Sequence, residues 1–575
     1  MSCEFISELR RLSKLSAEAV QNIDHFDELK KYMHITRNTE TDFRKLMSSI
    51  AGVNHKQLVL VCGSAGDGKS HLLSYLKFSD PDEVLSEYTI INDATESEAP
   101  DLTAIETLAG RIAAFRDDRL DDGGCEKIVL AINLGMLNNF IDSEQGKDYK
   151  KFRQYVLDNN IFSVAQPLPF NKDNYFQHID FSDYQLYTLT ADGPKSDYLT
   201  ELFAKVFGAN SCNRFYNTYM SQGTTCPHHA QCPVRHNFEF LMRQEVRELL
   251  IQRIIEVCIK DKMVVTSRDV LNFIFDAVVS PDFDEKRFWN LLSNPAKFLE
   301  TYIAYTTPML IFENRGTSSL IDCMTENATS SENIESRDGD ILDFYAADDI
   351  KPIALSVLDG SRYAEILQEI GLSSIDNDRE SLKKHVYKFL MNYGKLADRE
   401  TLKADCLYSS FVRDLYHAYA GNVKCLKNLY SSVRNSIYAW NGIYGTDLIC
   451  IDDSSDDYSI LEQLVIKYDV AQGSGEDEVQ RFSPVILVRF SNEAKTERVT
   501  FSVDYRLYKV IMAMKDGYCP TSQDRNIHAD FSSGIMALSE FGSKKSRVYI
   551  VPKRKQGNIA FLFEESDFGY SFKEV

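Results

Sequence analysis

The sequence predicts an α/β protein, with a parallel β-sheet flanked along the chain by helical regions and followed by a mixed α+β region. Two patterns carry this prediction. Between residues 57 and 132, short apolar runs alternate with helical stretches, which is the order of a parallel sheet with crossover helices. A glycine-rich loop at residues 63–70, called the glycine loop below, directly follows the first apolar run and precedes the first helix of that order.

The N-terminal elements follow from residue spacing. A first helix is predicted because apolar residues recur at helical spacing, namely at Leu9, Leu12, Leu15, Ala17, Val20 and Ile23. A second helix is predicted from Phe43 to Ile50. Three apolar runs of strand length then alternate with two helices. The strands are Leu58–Cys62, Tyr88–Ile91 and Lys127–Ile132, and the helices are Lys69–Lys77 and Leu102–Phe115.

The remaining elements are predicted in the same way. Residues 195–310 have a mostly helical pattern. Two acidic stretches, Asp322–Asp349 and Asp452–Glu478, are interpreted as solvated loops. The last elements are two strands, a helix and a hairpin. They are Ser483–Phe490, Arg498–Val503, Asp504–Lys515, and the pair Arg547–Val551 with Asn558–Phe563.

These patterns divide the chain into five predicted regions. In order they are a helical segment at 1–50, a core with the parallel sheet at 51–200, a helical lid with a cysteine and histidine cluster at 201–320, an acidic loop and helical connector at 321–450, and a mixed α+β domain at 451–575.

Size and composition are those of an ordinary water-soluble protein. The chain has 575 residues, of which 44% are hydrophobic and 26% are charged, so roughly three or four domains with buried cores are expected. No apolar run reaches the roughly 18 residues that a membrane helix needs. The N-terminal residues also lack the charged-then-apolar order of a signal peptide. We therefore expect a cytoplasmic protein with no membrane partner.

The charge balance limits direct contact with nucleic acids. The chain carries 64 basic and 85 acidic residues, which gives a net charge of −21. A field of that sign repels phosphate backbones and argues against a general nucleic-acid-coating role. The densest basic stretch without an acid is Lys544–Lys555. DNA is therefore expected to be contacted through this local patch or, as we favour, through partner proteins.

The glycine loop matches the phosphate-binding pattern G-x-x-x-x-G-K-[ST] at every fixed position. Its residues are Gly63, Ser64, Ala65, Gly66, Asp67, Gly68, Lys69 and Ser70. Glycines let backbone N–H groups wrap a phosphate, and the helix N-terminus adds partial positive charge. Lys69 is expected to reach the β- and γ-phosphates, and the Ser70 hydroxyl to ligate Mg²⁺. The loop therefore predicts a P-loop NTPase domain that uses ATP and Mg²⁺.

An acidic group is also needed to hold the metal ion, and the sequence leaves two positions open. Asp93 follows a strand and Glu96 comes three residues later, as a metal acid and a water-polarising acid would. However, an extra strand usually separates the loop strand from the metal-acid strand, which would point to the end of Lys127–Ile132. Asn133 stands there and resembles a sensor residue that orients the γ-phosphate or the attacking water. We favour Asp93 for the metal, while Glu96 is equally interpretable as a helix-start acid.

Arg268 is a further candidate for nucleotide contact. It lies in the first turn of a predicted helix that Thr266 and Asp269 would cap. In the lids of AAA+ ATPases an arginine at a similar place contacts nucleotide. The alternative is a surface arginine with no ligand.

A second candidate site is the Cys–His segment, residues 212–236. Zinc prefers four cysteine or histidine ligands in a tetrahedron, and Cys212, Cys226, Cys232 and His236 would supply them. The five-residue gap between Cys226 and Cys232 exceeds the usual two to four. Structural zinc and free side chains in a loop therefore both stay open.

Several stretches together resemble one family. They are Cys62–His71, Asn92–Ser97, Ala131–Leu137, and Val503–Tyr505 with Gly517–Tyr518. They are similar to the DptF family, the ATPase-like components of bacterial DNA phosphorothioation-dependent restriction systems. The resemblance spans most of the chain. It implies a cytoplasmic antiviral defence protein that acts with two partner proteins against DNA lacking sulfur in its backbone.

The sequence thus favours an ATPase within a restriction complex. Two alternatives stay open. One is a signalling or scaffold protein that never touches DNA, which the acidic charge favours. The other is a module that binds nucleotide with little turnover, which the uncertain metal acid and Asn133 favour.

Overall fold

Four segments pair in parallel in the computed structural model. They are β1 (Gln57–Cys62), β2 (Thr89–Ile91), β3 (Lys127–Ile132) and β4 (Phe176–Asp180), in the spatial order β2-β3-β1-β4. All six residues of β1 are buried, because Leu58 and Leu60 face one core and Val59 and Val61 face the other. Burial on both faces is typical of a parallel strand between two helical layers.

The structure describes most but not all of the chain. The described residues are 3–18, 28–80, 82–92, 102–162, 171–330, 342–347, 349–358, 360–370, 379–398, 405–442, 444–445, 447–470, 475–476, 478–553, 561–566 and 569–574.

The helices of the N-terminal half surround the sheet and continue beyond it. They are α1 (Glu4–Glu18), α2 (Glu28–Met33), α3 (Asn38–Ser49), α4 (Lys69–Phe78), α5 (Ala104–Arg111), α6 (Leu134–Ile141), α7 (Lys150–Asp158), α8 (Asp197–Phe207), α9 (Arg214–Thr225), α10 (Pro233–Met242), α11 (Gln244–Lys260) and α12 (Ser267–Asp276).

The C-terminal half adds helices and antiparallel strands. The helices are α13 (Glu285–Asn290), α14 (Pro295–Ala304), α15 (Thr307–Phe312), α16 (Ser319–Ser330), α17 (Lys351–Val357), α18 (Arg362–Ile370), α19 (Arg379–Ala397), α20 (Cys406–Ala420), α21 (Lys427–Ala439), α22 (Tyr505–Lys515), α23 (Ser522–Ile527) and α24 (Ala529–Gly542). The further strands are β5 (Thr188–Thr190), β6 (Gly193–Lys195), β7 (Leu448–Asp452), β8 (Tyr458–Leu464), β9 (Lys467–Tyr468), β10 (Ile486–Ser491), β11 (Arg498–Val503), β12 (Ser543–Pro552), β13 (Phe561–Ser566) and β14 (Gly569–Glu574).

Two helical layers cover the parallel sheet. Helices α3 and α4 pack on one face through apolar residues such as Phe43 and Leu73. Helices α5, α6 and α7 pack on the other face through residues such as Leu108, Phe140 and Phe152. The glycine loop connects β1 to α4 and therefore lies at the carboxyl edge of the sheet, where ligands of open α/β sheets bind.

A separate, larger core joins the remaining helices. It runs from Phe5 and Leu9 of α1 through α8–α21 to Leu538 of α24. Helix α1 packs against α9 and α12. Helix α1 packs in this helical core, whereas α3 packs on the parallel sheet. The helices of the predicted segment 1–50 therefore contribute to two different cores.

The C-terminal strands are antiparallel. Strands β9–β11 form one sheet, and a second sheet has the order β14-β13-β12-β8-β7. The interpretation of Asp452–Glu478 as a solvated loop is wrong, because β8 lies within it. Ser459, Leu461 and Leu464 of that strand are buried, and β8 pairs along β12. The loop interpretation of Asp322–Asp349 is also wrong at its start, which lies in α16.

The coarse fold class is confirmed as mixed α/β, with a parallel sheet and an antiparallel C-terminal sheet. The three predicted core strands and the helix after the glycine loop are confirmed within two residues. The predicted helix Leu102–Phe115 is shorter than expected. It starts at Ala104, where Thr103 and Glu106 form a capping box, and it ends at Arg111 before a short 3₁₀ turn. No described helix combines the length and apolar character needed to cross a membrane.

Candidate functional site

The glycine loop has a backbone that requires glycine. Gly63 and Gly66 have φ angles of +145° and +92°, in the region that other residues rarely adopt. Space is equally restrictive, because a Cβ on Gly66 would lie 2.9 Å from Thr266 Oγ1. The start of α12 therefore packs directly against the loop, although the two are distant in the chain.

Polar contacts within the loop hold its shape. The Ser64 amide donates to Asp67 Oδ2 at 2.5 Å. The Lys69 ammonium donates to the carbonyl oxygens of Gly63 and Ser64, at 2.9 and 2.6 Å. Burial raises the pKa of Asp67, while Lys69 acts in the opposite direction. The Lys69 side chain is thus held by hydrogen bonds to its own loop. Its charge lies near the backbone amides of that loop, which can bind an anion.

A cavity of about 350 Å³ opens beside the loop. Four parts of the chain line it: the glycine loop with the start of α4, the segment from α2 to α3, the end of β3 with the residues that follow β2, β3 and β4, and α8 with α12. The lining residues are Lys30, Met33, His34, Ile35, Arg37, Thr39, Glu40, Ala65, Gly66, Gly68, Lys69, Ser70, His71, Leu72, Asn92, Ala131, Asn133, Phe181, Tyr198, Leu202, Ser267, Arg268 and Leu271.

Arg268, for which the sequence predicts nucleotide contact, lines this cavity. Thr266 and Asp269 form the predicted capping box, with the Thr266 amide 2.9 Å from Asp269 Oδ2. The cap fixes the first turn of α12 against Gly66. Arg268 Nε is buried without a hydrogen-bond partner among the described residues. A buried donor of this kind is stabilised by a ligand that accepts its hydrogen bond.

Arg37 is a cavity residue that sequence reasoning missed. Its guanidinium donates to the Asp67 carbonyl at 2.9 Å and lies over the rings of Phe181 and Tyr198. The Tyr198 hydroxyl donates to Ser267 Oγ at 2.9 Å. Burial lowers the pKa of Arg37. These contacts link the outside of the loop to the start of α12, and an isolated arginine in the sequence gives no signal of them.

Asn133 occupies the end of β3. Its Oδ1 accepts from the Met136 amide at 2.7 Å and caps α6. Asn133 lines the cavity together with Asn92 at the end of β2, and Asn92 Oδ1 is buried with no partner among the described residues. Because its oxygen caps the helix, Asn133 can offer a ligand the N–H groups of its amide. This is compatible with the predicted sensor role.

The two predicted acids at this edge, Asp93 and Glu96, lie outside the described residues. The sheet order bears on their assignment. In space, β3 lies between β1 and β2, so β2, which Asn92 follows, is separated from the loop strand by one strand. The extra strand expected between the loop strand and the metal-acid strand is therefore β3. It lies between β1 and β2 in the sheet although it follows both in the chain.

Two further carboxylates lie beside the loop and were not predicted. Asp180 ends β4, in register with Cys62 of β1, and accepts from the Ser182 amide at 2.8 Å. Burial and the neighbouring Asp180 raise the pKa of Asp183 to about 7. The detectable signal was a strand that ends in an acid, Phe176–Asp180. Gln177 and His178 interrupt the apolar run, so the pattern of a buried strand is weak there.

The Cys–His segment does not assemble the four predicted zinc ligands. Among the described residues no group of three or more histidine, cysteine, aspartate or glutamate side chains is arranged to hold a metal ion. Cys212 is exposed. His236 is buried in α10, with Nδ1 2.7 Å from the Tyr302 hydroxyl, and burial lowers its pKa to about 3. Burial also raises the pKa of Cys232 to about 12.

The basic stretch Lys544–Lys555 is partly used in ion pairs. Lys553 Nζ is 3.1 Å from Asp453, and Arg547 Nε is 2.7 Å from Glu564. Arg554 and Lys555 lie outside the described residues. Arg547 and Lys553 are therefore each paired with an acid, which reduces what these two cations can offer to a phosphate backbone.

Comparison with known proteins gives no assignment. No protein-family model matches the chain, and no curated protein matches it significantly.

Proposed function

We propose that this chain binds ATP with Mg²⁺ in the cavity and hydrolyses the β–γ phosphate bond. The observation that carries the proposal is the convergence of the glycine loop and Arg268 on one cavity. The cavity is lined by Lys30, Arg37, Lys69 and Arg268, although the chain as a whole has a net charge of −21. A concentration of cations and helix N-termini of this kind is complementary to a triphosphate.

The residues present fit a magnesium nucleotide. Ser70 and Asp93 would hold Mg²⁺, which when bound neutralises charge on the phosphate oxygens. Lys69 and the loop amides would bind the β- and γ-phosphates. Two buried atoms without partners among the described residues, Arg268 Nε and Asn92 Oδ1, belong to residues that line the cavity and support a polar ligand there. The position of β3 between β1 and β2 supports Asp93 as the metal acid and Asn133 as a donor to the γ-phosphate or the attacking water. Glu96 would polarise that water.

We further propose that this ATPase works within a DNA phosphorothioation-dependent restriction complex. The resemblance of four stretches to the DptF family supports this proposal. The acidic charge and the ion pairs of Arg547 and Lys553 support contact with DNA through the other subunits of that complex.

The test is ATP hydrolysis by the purified chain, alone and with the proteins encoded beside it. Turnover should be measured without DNA, with unmodified DNA and with phosphorothioated DNA. We expect unmodified DNA to stimulate turnover only when the partners are present. A rate of ATP hydrolysis that is the same without DNA and with either DNA, both for the chain alone and with its partners, would contradict the restriction role.

A second candidate is a nucleotide-binding module with little turnover. This function is favoured by Asn133. The residue follows β3, the strand beside β1, and it carries no charge where an acid could hold the metal ion. Tight ATP binding with slow hydrolysis, unaffected by DNA and partners, would identify it.

A further inference from the structure

We propose that the outer edge of the C-terminal sheet is a docking surface for a partner protein. The partner adds an extended segment, with alternating apolar and basic side chains, as a further strand beside β14. None of the described residues of β12, β13 and β14 lines the nucleotide cavity. This surface can therefore be absent while the proposed ATP binding stands, and the reverse is also true.

Four aromatic side chains lie on one face of the last two strands. They are Phe561 and Phe563 of β13 and Tyr570 and Phe572 of β14, and together they are called the aromatic face below. Alternate residues of a strand share a face, and the pairing of Phe563 with Phe572 places all four rings on the same one. Phe561 stacks on Phe572 with ring centroids 5.0 Å apart, and Phe563 stacks on Tyr570 at 5.2 Å.

The aromatic face is open to solvent. Tyr570 is 70% exposed, Phe572 is 60% exposed and Phe563 is 37% exposed. Val548 and Ile550 of β12 continue the apolar surface inward, because they pair with Phe563 and Phe561. A contiguous exposed apolar surface is typical of a protein interaction site, and aromatic side chains are enriched in such sites.

Nearer the middle of the molecule, the same face of the sheet is covered. Ile449 of β7 pairs with Glu462 of β8, which in turn pairs with Val548 of β12. These three side chains therefore share the face that carries the aromatic rings. Ile449 is buried in the large core. The sheet thus extends outward from that core, and its apolar face becomes exposed at β13 and β14.

Strand β14 also offers backbone groups for pairing. It is an edge strand of its sheet, and among the described residues only β13 pairs with it. The opposite edge, β7, packs against α21. Proteins usually protect edge strands with proline, bulges or charged side chains. Strand β14 has no proline and pairs in regular register, and its lysine, Lys573, lies 3.7 Å from Glu564. A regular edge beside exposed aromatic rings suits β-strand addition.

The charges around the aromatic face favour a basic partner. Glu565 and Glu574 are exposed on this face, where they pair with Tyr570 and Phe561. The single cation of β13 and β14 is Lys573, which pairs with Leu562 on the other face. A second copy of the chain would bring the same two acids and its own net charge of −21. Basic side chains in the added strand are instead complementary to this face.

The test is fluorescence polarisation of short labelled peptides titrated with the full chain at low salt. One peptide alternates valine and lysine. A second has the same composition, with all valines before all lysines, and a third alternates valine and glutamate. We expect the alternating valine–lysine peptide to bind at least about 10-fold more tightly than either of the others. In the bound state, the amides of residues 569–574 should exchange more slowly with solvent.

Variants at exposed positions connect this binding to the aromatic face. Phe572→Ser removes a mostly exposed ring, so the thermal unfolding temperature should change little. Binding of the alternating valine–lysine peptide should weaken at least about 10-fold. Tyr570→Ser is the second variant, with the same expectation. The control Leu157→Ser removes an exposed apolar side chain of α7 and should leave peptide binding unchanged.

Three results would overturn the proposal. The first is equal binding of the two valine–lysine peptides, or binding of neither. The second is peptide binding that both Phe572→Ser and Tyr570→Ser leave unchanged. The third is a dimer of the full chain in sedimentation equilibrium that Phe572→Ser dissociates, which would assign the surface to a second copy. ATP binding, measured on the same protein samples, reports separately on the proposed nucleotide site.

Discussion

The glycine loop and the Cys–His segment are both short stretches dense in chemically active residues, but the molecule uses them differently. The loop meets Arg37 and Arg268 from distant parts of the chain at one cavity. The residues of the Cys–His segment lie apart in the structure, with Cys212 exposed and His236 hydrogen-bonded to Tyr302 of α14.

The difference lies in what each site needs. A phosphate-binding loop is built from consecutive backbone groups, so eight residues in the right order specify most of it. A metal site needs side chains from separate elements at fixed distances, and local spacing does not determine those distances. A dense group of reactive residues therefore predicts a site less well than a pattern of consecutive backbone groups does.

The largest effect is expected at Lys69. Lys69→Ala removes the cation next to the loop amides, so ATP turnover should fall by about 10²–10³-fold or more. The measurement is steady-state phosphate release by folded protein. The control Lys77→Ala removes an exposed lysine two turns along α4 and should leave turnover unchanged. Equal ATP turnover in Lys69→Ala and Lys77→Ala would show that the glycine loop takes no part in hydrolysis.

A smaller effect is expected at Arg268. Arg268→Met keeps the apolar stem and removes the buried donor, and charged hydrogen bonds contribute about 1.5–3 kcal/mol. ATP should therefore bind roughly 10- to 100-fold more weakly in calorimetric titration. The matched control is Arg153→Met, at an exposed ion pair on α7. A wild-type affinity for Arg268→Met would mean that α12 packs on the loop without contacting the nucleotide.

In the Cys–His segment the expected effect is on stability. His236→Leu leaves the buried Tyr302 hydroxyl unpaired, which costs about 1–3 kcal/mol in the free energy of unfolding at pH 7.5. The pKa of His236 is lowered in the folded protein to about 3, below its ordinary value of about 6.5. Its contribution is therefore present above about pH 6.5 and is lost as the pH falls toward 3.

The difference in the free energy of unfolding between wild type and His236→Leu, measured with urea, should thus narrow between about pH 6.5 and pH 4. A difference that is constant with pH would contradict a buried, neutral His236.

The smallest effect is expected at Cys212. Because the side chain is exposed, Cys212→Ser should change the free energy of unfolding by less than about 0.5 kcal/mol and leave the zinc content unchanged in elemental analysis. If the wild-type protein contains zinc and both Cys212→Ser and His236→Leu release it, the predicted zinc site exists. The contrast between the two regions would then be wrong.

The parts of the fold that were predictable are those with one dominant pattern. Strand β1 is apolar from Leu58 to Cys62 and buried on both faces, and the loop after it is specified residue by residue. Strand β4 was missed because His178 and Gln177 interrupt its apolar run. Strand β8 was hidden by the acids around it. Arg37 could not be predicted, because its importance arises only where α3, the loop and α8 meet.

The most direct test of the account is backbone amide exchange of the full chain with and without MgATP, read by mass spectrometry. If one nucleotide site joins these elements, residues 33–40, 63–72 and 266–271 should exchange more slowly together, while residues 212–236 should be unchanged. Protection confined to the glycine loop, or no change at saturating ATP, would contradict the convergence of these segments on a single site.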